Sequence, residues 1–302
     1  MMNRPSLHKV LHEGRMNESC LPHSRATSTS AMVVFSDLDG TLLDNWNYSF
    51  DAAQEALDRL QDRSIPVVLV SSKTRAEMEP LRAQLHNEHP FIVENGGAVV
   101  VPALYFRFAP SKAIESGPYH IIELGTRYSH LRKVLKELER ALGVELRGYG
   151  DMSVEEVARE TGLSLQAAEL AKQRDYDEPF VVMGRGCDEA ALAKAIAAQG
   201  LRWTKGDRYH HLMGDQDKGR AVHALIQCYR KNLPRQDMPF TTVALGNSLN
   251  DFEMLAAVDI PILVQQADGS YAKGMELPQL IRAPSPGPAG WNHAVLSVLQ
   301  GS

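Results

Sequence analysis

Two aspartates separated by one residue, Asp37 and Asp39, stand in the run Asp37-Leu38-Asp39-Gly40-Thr41-Leu42-Leu43. Carboxylates at that spacing in a tight turn can divide a reaction between them: one is held against a metal as nucleophile, and the other faces the leaving group as acid and base. Gly40 lets the backbone turn tightly, and the Thr41 hydroxyl can orient a neighbouring carboxylate. The plain alternative is an Asx turn closing a strand. Position favours chemistry, because the apolar run Met32-Val33-Val34-Phe35-Ser36 reads as a strand buried on both faces and the acids follow its carboxyl end. Open α/β sheets bind their ligands outside the carboxyl ends of strands.

The elements that must position this pair are legible in the apolar periodicity. An amphipathic helix is expected from Phe50 to Arg63, a strand from Ile65 to Val70, a helix from Thr74 to Leu85 and a strand over Phe91 to Val93. The same alternation returns late, with a helix from Lys218 to Asn232, a strand from Thr241 to Leu245, a helix from Asp251 to Ala257 and a strand from Ile260 to Val264. Alternation at this pitch implies right-handed βαβ units and a parallel sheet. Between the halves, strands near Tyr119 to Leu124, Phe180 to Met183 and Leu201 to Thr204 alternate with helices near Arg127 to Leu142 and Asp188 to Gln199. The fold class is therefore α/β, a Rossmann-like doubly wound parallel sheet with an inserted α+β cap. The expected division is a flexible lead-in over 1–30, a core over 31–100 and 206–302, and the cap over 101–205. Ala283-Pro284-Ser285-Pro286-Gly287-Pro288 reads as a loop by composition.

The Asp37–Leu43 run resembles the opening motif of the haloacid dehalogenase superfamily, whose phosphatases begin Asp-x-Asp-Gly-Thr. The resemblance implies three further motifs in order. The second is a hydroxyl at the end of the second strand, supplied by Ser71 in Ser71-Ser72-Lys73-Thr74. With Ser72 and the N–H groups of a helix start it would hold phosphoryl oxygens, although Ser and Thr are also ordinary helix caps. The third is a lysine after the insertion, matched by Lys218 in Asp217-Lys218-Gly219-Arg220-Ala221, where an ammonium would offset charge on the nucleophile and the phosphoryl group. The fourth is ordinarily Gly-Asp with Asn-Asp three residues later, and the chain has Gly246-Asn247-Ser248-Leu249-Asn250-Asp251. The implied cofactor is Mg²⁺, held by Asp37, the Asp39 main-chain carbonyl and Asn247 or Asp251. Asn247 stands where the family carries an acid, and its amide oxygen brings one negative charge fewer to a cation that prefers hard, charged donors. A working site with weaker metal affinity, a site in which Asp251 takes the metal and a site without activity all stay open.

Finer resemblance points to the mannosyl-3-phosphoglycerate phosphatase branch. It rests on Ser71-Ser72-Lys73-Thr74, on Val93-Glu94-Asn95-Gly96-Gly97-Ala98, on Glu160-Thr161-Gly162-Leu163-Ser164, on Arg174-Asp175-Tyr176-Asp177-Glu178 and on Gly290-Trp291-Asn292. The implied reaction is hydrolysis of 2-O-mannosyl-3-phosphoglycerate, or its glucosyl analogue, to the glycosylglycerate and phosphate. Such a substrate carries a phosphate, a carboxylate and several hydroxyls, so a cleft lined by cations and amides is expected. Lys73, Arg208 and His211 are candidates for the anionic groups. Glu94 and Asn95, beside Gly96, are candidates for the hydroxyls. A general sugar phosphatase, a phosphomutase and a non-catalytic ligand-binding descendant are the alternatives.

Composition bounds these readings. The chain has 302 residues, 44% hydrophobic and 23% charged, with a net charge of −5, so one large or two modest domains with their own cores are expected. Fibrous and largely disordered classes are excluded. No apolar run approaches the roughly 20 residues of a membrane helix, so a soluble cytoplasmic protein is expected. Cys20, Cys187 and Cys228 lie too far apart for a zinc cluster and suit a reducing compartment. One segment, Ser153 to Ala168, has the pattern of a helix-turn-helix. Yet residues 151–178 hold three basic residues against eight acidic ones, which opposes nucleic acid and favours a plain pair of cap helices. The expected partner is a small phosphorylated sugar-glycerate, with no nucleic acid and no membrane; the oligomeric state is left open.

Overall fold

The computed structural model describes residues 31–184, 188–205 and 209–301, so the lead-in, Cys20, Cys187 and Arg208 lie outside the described residues. β1 (Ala31–Ser36) is followed by α1 (Gln54–Asp62), β2 (Val67–Val70), α2 (Arg75–Gln84) and β3 (Phe91–Val93). Three short strands come next, β4 (Ala98–Pro102), β5 (Ile114–Ser116) and β6 (Tyr119–Glu123). The middle of the chain forms α3 (Tyr128–Leu142), β7 (Glu145–Gly148), α4 (Val154–Thr161), α5 (Leu165–Ala171), β8 (Asp177–Met183), α6 (Glu189–Ala198), β9 (Arg202–Lys205) and β10 (His210–Met213). The last part is α7 (Lys218–Asn232), β11 (Phe240–Gly246), α8 (Phe252–Ala256), β12 (Ile260–Gln265), β13 (Ile281–Pro286) and α9 (Gly287–Gln300).

β1 shows why its run is apolar without alternation. Val34 packs into one layer with Ala56 and Leu60 of α1 and Trp291 of α9, while Val33 and Phe35 pack into the opposite layer with Val222 and Leu225 of α7 and Met254 and Leu255 of α8. A strand covered on both faces has no wet side on which to place polar residues. The large sheet runs β13-β12-β11-β1-β2-β3-β4-β6-β5. β1 pairs in parallel with β2 on one side and β11 on the other. The chain winds away from β1 through β2 and β3, then returns beside it through β11, so a crevice opens where the loops after β1 and β11 diverge.

Three expectations need correction. β6 was expected within the cap, but it joins the large sheet, antiparallel to β4, which in turn pairs with β3. The reason is burial: Val100 and Ile121 extend one core layer, and Val99, Val101 and Ile122 extend the other. His210 to Met213, on the core side of the expected boundary, instead pairs with β8 and β9 in the separate antiparallel sheet β7-β8-β10-β9. From this strand membership we propose that the inserted unit runs from about 126 to 214. The segment 283–288, expected as a loop, contains the end of β13 and the start of α9. β13 is an edge strand bonded only to β12, so the missing N–H groups of Pro284 and Pro286 can face away from the ladder. Pro288 lies in the first turn of α9, where a helix needs no donor.

The helix pair at 154–171 packs against the small sheet. Val157, Ala168 and Ala171 are buried with Tyr149, Met152 and Tyr209. Glu156 and Glu160 both pair with Arg147 of β7, at 2.6 and 3.2 Å. Among the described residues no helix is long and apolar enough to cross a membrane.

α9 braces the core tightly at Gly290, where an added Cβ would stand 1.8 Å from the main-chain oxygen of Ser285. Glycine to alanine within a helix ordinarily gains up to about 1 kcal/mol. Here Gly290→Ala is expected to reverse that sign and destabilise by about 2 kcal/mol, because the backbone must move to admit the methyl group. The denaturant midpoint reads the outcome, and an unchanged or higher midpoint would show that α9 packs more loosely than described.

Candidate active site

Asp37 is the first residue after β1, and its N–H donates to the Leu245 carbonyl of β11 at 2.9 Å. From behind, Trp291 Nε1–H donates to Ser36 Oγ at 2.9 Å, and that hydroxyl donates to the Asp37 carbonyl at 2.7 Å. The Asp37 carboxylate accepts the Thr41 hydroxyl on Oδ2 at 3.0 Å and the Lys218 ammonium on Oδ1 at 2.7 Å. Lys218 opens α7, whose cap is Asp217 accepting the Arg220 N–H at 2.8 Å. The same ammonium meets Asp251 Oδ1 at 2.6 Å. Asp251 Oδ2 accepts the N–H groups of Asn247 and Ser248 at 3.0 Å and the Ser248 hydroxyl at 3.2 Å. Lys218 and Asp251 are fully buried and Asp37 nearly so.

Two carboxylates therefore share one ammonium out of contact with bulk water. Burial, then the charge of Asp251, pushes the Asp37 carboxyl up to about 7, with Lys218 pulling the other way. For Lys218 burial alone would disfavour the charge, but Asp251 and Asp37 outweigh it and hold the ammonium above its ordinary value.

Asp39 stands on the other side of the turn. Its Oδ1 is buried with no hydrogen-bond partner, and its Oδ2 pairs with Lys73 at 2.9 Å. Its main-chain carbonyl accepts the Asn247 side-chain amide at 3.2 Å. Gly40, with φ 72°, makes this approach possible: a Cβ there would lie 2.4 Å from Asn247 Nδ2. Among the described residues no three His, Cys, Asp or Glu side chains converge as a metal centre. The donors that do converge are the Asp37 carboxylate, the Asp39 carbonyl and the Asn247 amide, whose oxygen and nitrogen exchange places by a simple flip. Hard oxygens with at most one or two carboxylates suit Mg²⁺, which keeps several waters, so the donor set fits that ion. Asp251 has both oxygens engaged by Lys218 and the 247–248 loop and is far less available to a metal than Asn247.

The other residues singled out in the sequence divide between this site and the contact with the cap. Ser71, buried at the end of β2, accepts the Lys73 N–H on Oγ at 3.2 Å. Ser72 offers its carbonyl to Arg174 of the inserted unit at 3.0 Å. Glu94 accepts the N–H groups of Asp175 and Tyr176 on Oε1 and Oε2 at 2.9 and 2.8 Å. Glu94, Asn95 and Gly96 all adopt positive φ, of 47°, 55° and 91°. This sharp turn lets Gly96 abut the Asp217 carbonyl and leaves Asn95 Oδ1 buried without a partner. His211 Nδ1 pairs with buried Asp177 at 2.7 Å, a carboxylate shared with Arg174 at 3.4 Å. Lys73 meets Asp39, as described above.

Several contacts at the site have no motif that announces them. Thr74 caps α2 and also donates to the Leu170 carbonyl at 3.0 Å. Gln216 donates to the Tyr176 carbonyl at 2.8 Å. Thr74, Glu94 and Arg174 fasten residues 170–177 onto the loops after β2 and β3, and Gln216 fastens Tyr176 to the segment that leads into α7. The signal that could have found Arg174 was in view, since Arg174 to Glu178 was singled out as a stretch, but its partner Ser72 lies 102 residues away.

A family described as haloacid dehalogenase-like hydrolase matches residues 34–107. A glucosyl-3-phosphoglycerate/mannosyl-3-phosphoglycerate phosphatase of Methanococcoides burtonii is 46% identical over 270 residues, covering 88% of this chain and 97% of that protein. A mannosyl-3-phosphoglycerate phosphatase of Pyrococcus furiosus is 37% identical over 232 residues, covering 77% of this chain and 90% of that protein. Among solved structures, a phosphatase of the haloalkanoate enzyme superfamily from Bacteroides thetaiotaomicron superposes with a TM-score of 0.62 at 15% identity, over 94% of this chain and 98% of that one, a likeness of fold.

Glu94 gives the cap contact a pH dependence. Burial pushes its carboxyl from 4.5 up to about 7, against the pull of Arg174 and of the Tyr176 N–H. The folded chain then holds a proton that the unfolded chain releases between those values. The stability from this group is fully present below about 4.5 and lost as pH rises through about 7. Glu94→Gln, which cannot ionise, is expected to lose less stability than the wild type between about pH 5 and pH 8. Urea midpoints measured across that range check this, and parallel profiles for the two proteins would refute it.

Proposed function

This phosphatase belongs to the haloacid dehalogenase-like hydrolases, and we propose that it hydrolyses 2-O-mannosyl-3-phosphoglycerate or its glucosyl analogue to the glycosylglycerate and phosphate. The observation that carries the substrate is the near full-length identity of 46% to the Methanococcoides burtonii protein.

In this reading one oxygen of Asp37 attacks phosphorus in line, the bond to the glycerate oxygen breaks, and an aspartyl phosphate forms. Asp39 delivers a proton to the departing oxygen. Its Oδ1, buried and free of any hydrogen bond, is the atom available for that transfer. Asp39 then takes a proton from the water that attacks the aspartyl phosphate, which releases phosphate and restores both carboxyls. Lys218, 2.7 Å from Asp37, orients the nucleophile and balances charge on the phosphoryl oxygens, and the Ser71 hydroxyl with nearby N–H groups holds one of them. Asp251 acts by positioning Lys218. Mg²⁺, when bound, supplies further positive charge to the phosphoryl oxygens and would be held by Asp37, the Asp39 carbonyl and Asn247.

Asp37→Asn keeps the shape and removes the nucleophile, so turnover is expected to fall at least about a thousandfold with the thermal midpoint nearly unchanged. Full activity in that variant would exclude the scheme. Asn247→Asp restores a negative charge among the donors and is expected to lower the Mg²⁺ concentration for half-maximal rate by about tenfold. Released phosphate, followed over a panel of both glycosyl-phosphoglycerates, hexose phosphates and 3-phosphoglycerate, tests the substrate. Comparable rates on hexose phosphates would point to a general sugar phosphatase, and phosphoryl transfer to sugar instead of water would point to a mutase.

A further inference from the structure

The loop between Leu43 and α1 takes no part in the chemistry above, yet it is closed by its own hydrogen bonds. Asp44 Oδ1 accepts the N–H groups of Trp46 and Asn47 at 2.9 and 3.1 Å. Asn47 Oδ1 accepts the Ser49 N–H at 2.8 Å, and the Asp44 N–H donates to the Ser49 carbonyl at 2.9 Å. Tyr48 is held at φ 57°. What this loop displays is aromatic surface: Trp46 is 84% exposed and Tyr48 49%. A single exposed apolar residue is commonplace, but two large rings on one tied loop leave an unusual amount of aromatic surface in water.

The loop borders the side of the site where the leaving group departs. The Tyr48 ring lies under the Lys73 ammonium, 5.2 Å from centroid to Nζ, and that ammonium is 2.9 Å from Asp39 Oδ2. On the other flank Asn45 packs against the catalytic turn, since a Cβ on Gly40 would lie 2.6 Å from its Oδ1. The Tyr48 ring and the Asn45 side-chain amide therefore stand close to the acid that must reach the ester oxygen, and Trp46 lies between them in the same tied loop.

We propose that Trp46 and Tyr48 form a stacking subsite for the hexose ring of the leaving group, with the Asn45 amide reaching a ring hydroxyl. The inference rests on the glycosyl-phosphoglycerate reading. In that ester the sugar is attached to the carbon next to the one bearing phosphate, so the ring lies only a few bonds from the oxygen that Asp39 protonates. A pyranose presents C–H groups of slight positive charge on its faces and hydroxyls around its rim. Aromatic faces are electron-rich and match the former, and amides match the latter. Stacking reads a face and is tolerant of one hydroxyl changing from axial to equatorial. Such a subsite would admit mannosyl and glucosyl esters alike, as the name of the Methanococcoides burtonii relative gives both.

Trp46→Ala and Tyr48→Ala, with Trp46→Phe and Tyr48→Phe as ring-preserving controls, test the subsite on the full chain with Mg²⁺ present. Each alanine variant is expected to raise KM for the glycosyl-phosphoglycerate about tenfold with kcat nearly constant, while kcat/KM on 3-phosphoglycerate, which lacks the sugar, stays at the wild-type value. The phenylalanine variants are expected to recover most of the loss. Equal losses on both substrates would assign the loop a structural role and overturn the subsite, as would no loss on either. Should the wild-type enzyme turn over neither glycosyl ester, the substrate reading itself fails, an outcome distinct from wild-type turnover that the variants leave unaltered.

Discussion

Everything at the site depends on one ammonium placed between two carboxylates. Desolvating a charge costs several kcal/mol, and a buried ion pair repays that only when geometry is good and the remaining valences are filled. Here they are filled: Asp251 takes three donors from its own loop, and Asp37 takes Thr41. Lys218 also sits at the first position of α7, where the helix dipole opposes a cation. Its charge therefore owes its stability to the two acids. The three groups arrive from the carboxyl end of β1, the amino end of α7 and the loop after β11, so only the correct sheet order assembles them. The assembly carries one net negative charge at the place where a phosphoryl dianion would have to dock.

The inserted unit is tied into the same scaffold by backbone contacts. Glu94 takes two N–H groups from it, Arg174 returns one donor to Ser72, and Thr74 and Gln216 each bind a carbonyl. Side chain to backbone bonds of this kind specify position without demanding a particular residue on the other partner. The loops after β2 and β3 thus have two tasks, since they edge the phosphoryl site and also hold the strap at 170–177. The positive φ values at residues 94 to 96 are the local strain that this double duty carries.

How much of this was legible in the sequence depended on whether a residue's task was local. The grouping of Asp37, Asp39 and Thr41 could be read because the three lie within five residues at the end of an apolar strand, and Thr41 does donate to Asp37. Lys218 and Asn247 could be placed by motif order, and the structure brings both to the loop after β1. The bonds of Glu94 to Tyr176 and of His211 to Asp177 could not be read, because those partners lie 82 and 34 residues away. The fold shows the same limit. Long helices and strands covered on both faces announced themselves, whereas β5, β7 and β10 have too few apolar residues to stand out. β13 was hidden by prolines that only an edge strand tolerates.

The indole of Trp291 has a bearing on how the enzyme comes into being. Asp37 emerges early in synthesis, but the strand that pairs along β1 on one side begins at Phe240, and the brace behind Ser36 arrives at residue 291. Contacts so distant in sequence form late, both on the ribosome and in refolding. A nascent chain carries Asp37 long before it carries the framework that holds it in place. Activity should therefore wait until α9 closes over the sheet, and chains that stop short of Trp291 should be inert.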